Sequence, residues 1–193
     1  MKAAIVAALL SAAVLLTPPV AAAPCDLKLP VEQVLKHLNE LRAQGRVCGG
    51  QAMAPAAPLR WQPTLADAAS RYAAELSSRN KLSHTSLSGA TLPQRLEAAR
   101  YPMRLAAENL ASGPDSLEEV VGLWLKSPGH CENLMGPDFT EVGIACDMRE
   151  SYSAQPYWVM ELGRPQTLRP VQANATVRGV PEGLLPTDGP SVR

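Results

Sequence analysis

The stretch Leu117-Glu118-Glu119-Val120-Val121-Gly122-Leu123-Trp124-Leu125-Lys126-Ser127-Pro128-Gly129-His130-Cys131-Glu132-Asn133-Leu134-Met135 carries the strongest pattern in the chain. Leu117, Val120, Val121, Trp124 and Leu125 recur at the spacing of one helical face. Ser116 and Glu119 stand where a capping box would satisfy the free N–H groups at the helix start. Ser127-Pro128-Gly129 ends the helix, since proline lacks the donor that would continue it. A brief helical turn then carries His130 to Met135. Two short β-compatible runs follow, Val142–Cys146 and Tyr157–Leu162, with a polar link containing Ser151-Tyr152-Ser153 that suits a hairpin loop. Helices followed by two late strands predict an α+β domain.

Working outward toward the N-terminus, the same periodicity recurs. Val34, Leu35, Leu38 and Leu41 share a face of a helix that starts after Pro30 and runs over 31–44. Residues 49–62 read as a loop anchored by Leu59 and Trp61. Thr64 and Asp67 open a second helix through a capping-box-like start, and Leu65, Ala68, Ala69, Tyr72, Ala73 and Leu76 form its apolar face. Residues 83–90 read as a polar loop, a short helix follows Thr91, and Ala106 to Ala111 reads as a short strand.

The first residues read as an export signal, with Lys2, an apolar run from Ala3 to Leu16 and small residues before cleavage after Ala22. That run is too short for a membrane-spanning helix, which needs about 20 apolar residues. The expected organisation is a signal peptide over 1–22, one domain over 23–164 and a mobile tail over 165–193, in a secreted or periplasmic monomer. Without Lys2 the chain has 17 basic and 18 acidic residues and no basic stripe, which speaks against nucleic acid and anionic membranes as partners. Four cysteines in an oxidising compartment predict disulfides, and pairing of neighbouring segments gives Cys25–Cys48 and Cys131–Cys146.

Three histidines are available to carry chemistry. His37 borders the apolar face of the first helix and reads as structural. His84 follows the second helix, and His130 follows the Ser-Pro-Gly break. Glu108 is a charge inside Ala106-Ala107-Glu108-Asn109-Leu110-Ala111, costly to bury without partners, and histidines are suitable partners. Two histidines and a glutamate also make a ligand set for zinc or another divalent cation. Neither a His-Glu-x-x-His helix nor a Gly-x-Ser-x-Gly elbow is present.

Leu82-Ser83-His84, Glu108-Asn109-Leu110-Ala111, the block from Trp124 to Met135, and Phe139-Thr140-Glu141-Val142-Gly143-Ile144 stand in the order seen in bacterial CAP-domain proteins. The chain resembles that family, which includes cysteine-rich secretory proteins, antigen 5 and pathogenesis-related proteins, over roughly residues 31–165. The resemblance implies an α/β/α sandwich, a small antiparallel sheet with helices on both faces. It also implies a cleft lined by histidines and acidic residues, with His84, Glu108 and His130 as members and Glu119 or Glu132 as further candidates. The function it implies is a non-enzymatic binding module for a lipid, sterol, envelope component or divalent metal. A metal-dependent hydrolase and a structural envelope protein are the alternatives.

Overall fold

The computed structural model describes residues 30–148 and 155–166. The segment read as a signal peptide, Cys25, the polar link with Ser151-Tyr152-Ser153 and residues 167–193 of the expected tail lie outside the described residues, while Pro165, where that tail was expected to begin, closes the last strand. Five helices are present among them: α1 (Val31–Arg42), α2 (Pro63–Arg79), α3 (Leu92–Ala98), α4 (Leu117–Lys126) and α5 (Pro128–Met135). The strands are β1 (Arg46–Cys48), β2 (Gln51–Met53), β3 (Arg60–Trp61), β4 (Met103–Ser112), β5 (Glu141–Asp147) and β6 (Tyr157–Pro165).

The main sheet has the order β3-β5-β6-β4. β6 lies between β5 and β4 and pairs antiparallel with both, while two-residue β3 adds a parallel edge to β5. Side chains alternate across this sheet, and each face meets a different helical layer. Leu110, Ala145 and Val159 pack on Ala69, Tyr72, Ala73 and Leu76 of α2. On the other face Ala111, Val142, Ile144, Met160 and Leu162 meet Leu38 of α1 and Val120, Val121 and Trp124 of α4. The result is the expected α/β/α sandwich. The segment read as a loop over 49–62 instead holds β2 and β3, and β2 closes a small hairpin with β1. Those strands are two or three residues long, too short for alternation to show in sequence.

Local chemistry sets the element ends. Ser116 accepts from the Glu119 N–H at the start of α4, as expected, but the Glu119 carboxylate accepts from the N–H of Asp115 instead of Ser116. Thr64 does not cap α2. That helix starts two residues earlier, with Pro63 in its first turn and the Gln62 side chain accepting from the Thr64 N–H. Gly143 lets α2 sit directly on β5, because a Cβ there would overlap the backbone of Leu65 and Ala66.

Two long-range ties hold α1 and the β1–β2 hairpin to the α5 region. Arg42, fully buried at the end of α1, donates to the carbonyls of Ala57, Leu134, Gly136 and Phe139. Cys48 forms a disulfide with Cys131, with the two Cα atoms 5.5 Å apart. That bond corrects the expected pairing, because it excludes both Cys25–Cys48 and Cys131–Cys146. Cys146 is disulfide-bonded as well. Neighbours in sequence were the wrong guide because the β1–β2 hairpin folds back under α5, where Cys48, Cys131 and Met135 share a small core.

Candidate functional site

Among the described residues β4 has a strand neighbour on one side only, and the candidate residues gather along it from both helical layers. Glu108 points to the α2 face, as Leu110 two residues on does. Its carboxylate is almost fully buried, with 2% of the side chain exposed. His84, in the loop after α2, donates from Nδ1 to Oε1 of Glu108 at 2.8 Å. The Arg95 guanidinium of α3 donates to the other oxygen, Oε2. Arg95 also donates to the carbonyls of His84 and Ala90, and its guanidinium lies 3.5 Å from the centre of the Tyr72 ring. The Tyr72 hydroxyl in turn donates to the carbonyl of Ser83. One arginine and one tyrosine therefore hold the His84 loop against the sheet.

A second carboxylate lies beside this cluster. Glu161 of β6 is directly opposite Glu108, so both side chains share one face of the sheet. Glu161 is fully buried, and among the described residues neither of its carboxylate oxygens has a hydrogen-bond partner. Burial, reinforced by the Glu108 charge, pushes its pKa up to about 8. Burial raises the Glu108 pKa too, while Arg95 and His84 pull it back down. Glu108 has the cation and the donors, and Glu161 has neither. The pair therefore carries its negative charge on Glu108 and its proton on Glu161 near neutral pH.

His130 approaches from the opposite layer, on α5. Its backbone carbonyl accepts from the Asn109 side chain, which is fixed by Asn133 of the same helix. Burial and the nearby His84 lower the His130 pKa, so its ring is held neutral. His84 and Glu108 are thus in direct contact, and His130 lies near them around the edge of β4. The other acidic candidates are elsewhere. Glu119 is an exposed part of the α4 start and Glu132 is exposed on α5. His37 is half-buried on α1, as a structural residue would be.

The donor set does not fit a divalent cation. Among the described residues no three His, Cys, Asp or Glu side chains converge to hold one. Both oxygens of Glu108 are engaged, one of them by an arginine whose fixed positive charge opposes a cation at that carboxylate. Beside His130 the surface opens into an apolar pocket of about 260 Å³, lined by Leu82, Leu110, Leu123, Trp124, Ser127 and His130 among others. Leu82 and Leu123 are 41% and 46% exposed there, unusual for large apolar side chains set so close together.

Sequence reading missed Arg95 and Glu161. A single arginine in a seven-residue helix has no pattern to mark it. Glu161 was detectable by the argument that marked Glu108, as a charge inside an otherwise apolar strand.

Comparisons with known proteins agree with this architecture. The sequence model of the cysteine-rich secretory protein family matches residues 35–162. The Bacillus subtilis protein YkwD is 30% identical over 87 residues, 45% of this chain and 34% of that one, so the chain spans about a third of that relative. An outer surface protein of Borrelia burgdorferi has a similar structure, with 27% identity, a TM-score of 0.55 and coverage of 72% of this chain and 97% of that one. An extracellular SCP-domain protein of Bacillus anthracis matches with a TM-score of 0.57 at 24% identity, over 69% of this chain and 39% of that one. Among the described residues no helix is long and apolar enough to cross a membrane.

Proposed function

The chain belongs to the cysteine-rich secretory protein family, and on that premise we propose that it is a non-enzymatic binding module that holds a small apolar ligand beside His130. The observation that carries this reading is the apolar pocket along β4, with Leu82 and Leu123 half-exposed at its rim. At about 260 Å³ it is near the lower end of ligand-pocket size, so it takes a single chain or one end of a larger lipid. Ser127 and the neutral His130 ring supply the few polar groups that would orient such a ligand. The outer-surface neighbour, with the export pattern of residues 1–22, supports action outside the cytoplasm.

The hydrolase alternative has less support. Glu108, the natural base, is clamped between His84 and Arg95, and the cluster does not fit a metal. A purely structural role would leave the exposed leucines of the pocket without a reason. The test is titration with a fluorescent single-chain fatty acid. Leu123→Glu and Leu82→Glu put a charge at the rim, where partial exposure lets the fold tolerate it. Each is expected to weaken binding at least tenfold. Wild-type affinity in both variants, or no saturable binding by the native protein, rejects the proposal.

A further inference from the structure

A second cavity, of about 380 Å³, lies on the other helical layer between α2 and α3. Arg71, Arg95 and Arg100 line it, together with Tyr72 and Glu75. Its remaining walls are Ala68, Ala98 and Ala99, whose small side chains leave the space open. Three guanidinium groups give the cavity a positive lining, against the single carboxylate of Glu75 among these residues.

Two of these three charges have no ion-pair partner among the described residues. Glu75 is committed elsewhere, with Oε1 accepting from Arg79 at 2.8 Å and from the Leu87 N–H at 2.6 Å. Arg95 is balanced by Glu108. Arg71 and Arg100 are exposed, and among the described residues neither has an ion-pair partner. Glu161, the buried carboxylate whose field reaches Arg71, keeps its proton near neutral pH and so leaves the arginine uncompensated.

The backbone at Arg100 adds an independent observation. α3 ends with the Arg100 N–H bonded to the Glu97 carbonyl and the Tyr101 N–H bonded to the Leu96 carbonyl. This is the paired closure in which glycine usually takes the left-handed position. Here Arg100 takes it, at φ 61°. A non-glycine residue is disfavoured in that conformation. The chain keeps an arginine in a place that favours glycine, and its side chain lines the cavity.

We propose that the α2–α3 cavity is a binding site for a phosphoryl group, held by Arg71 and Arg100 against the fixed wall of Arg95 and Tyr72. Guanidinium forks match phosphate oxygens in pairs, which suits two arginines approaching from separate segments. The cavity is larger than a phosphate ion, so the alanine walls and the Tyr72 ring leave room for a small organic body. The site is distinct from the apolar pocket beside His130 and does not depend on that reading.

The experiment follows arginine side-chain NMR signals and calorimetric heats in the native protein. Inorganic phosphate and glycerol phosphate form one arm, and vesicles containing phosphatidic acid form the other, at constant ionic strength. Saturable binding in the soluble arm assigns a free phosphate ester, and binding only in the vesicle arm assigns a lipid headgroup. In either case Arg71→Gln with Arg100→Gln is expected to weaken binding at least tenfold. A control pair on the opposite layer, Lys36→Gln with Lys126→Gln, removes the same charge and is expected to leave binding within twofold. No saturable binding in either arm, or equal losses in the two double variants, overturns the proposal. Both positions of the test pair are exposed, and an unchanged far-ultraviolet spectrum checks that the fold persists.

Discussion

Replacing Glu161 with glutamine should change how stability depends on pH, and the size of the effect follows from the site. In the unfolded chain this carboxyl titrates near 4.5, and in the folded protein burial beside Glu108 pushes it to about 8. A folded-state pKa above the unfolded value gives a contribution fully present below pH 4.5 and progressively lost as pH rises toward 8. At pH 7 the unfolded chain has released this proton and the folded chain still holds it. The gap from 4.5 to 7 corresponds to about 3 kcal/mol against folding, at about 1.4 kcal/mol per pH unit. Glutamine keeps the shape and cannot ionise. Relative to the wild type, Glu161→Gln should therefore gain about 3 kcal/mol between pH 4.5 and pH 7 and then level off near pH 8.

The assay is urea denaturation of both proteins, followed by tryptophan fluorescence, at half-unit steps from pH 4.5 to 8.5. Other groups facing the site, namely His84, His130, Glu108, Arg71 and Arg95, are common to both proteins and largely cancel in the difference. A buried amide without a partner could lower the variant by a constant amount, so the slope of the difference is the quantity to read. A flat difference across the range would refute the assignment of the proton to Glu161.

Three further outcomes are expected. Gly143→Ala should destabilise the fold by about 3 kcal/mol, measured by urea denaturation, because its Cβ meets the backbone of α2 and no side chain can yield. Non-reducing peptide mapping should recover Cys48 joined to Cys131, and Cys48→Ser with Cys131→Ser should cost about 4 kcal/mol, since the bond spans 83 residues. Arg42→Met should lower stability by about 3 kcal/mol or more in the same denaturation assay, because it leaves four buried or half-buried carbonyls without their donor.

The layered fold was legible in the sequence where residues repeat at helical spacing. Leu65 to Leu76 and Leu117 to Leu125 mark the two helices that face the sheet from opposite sides, and both are buried as that spacing requires. The partnership of His84 with Glu108 was legible too, since a carboxylate in an apolar run needs a donor. The disulfide pairing was not legible, because the route of the chain between Cys48 and Cys131 depends on the whole fold. Arg95 reaches Glu108 from a short helix 13 positions away, and no local rule links the two. The same arginine bears on the metal reading, because its fixed charge opposes a cation at the Glu108 carboxylate.

The carbonyls of Glu108 and Leu110 on β4 accept from the Asn133 and Trp124 side chains. A strand with a neighbour on one side only is a template on which a second molecule can add its own strand. Here an indole and an amide from the covering helices occupy acceptors that such an intruder would use. The arrangement that brings α4 and α5 against the pocket thus also guards the sheet against edge-to-edge aggregation, and lets the protein keep a long outer strand without becoming a seed for fibres.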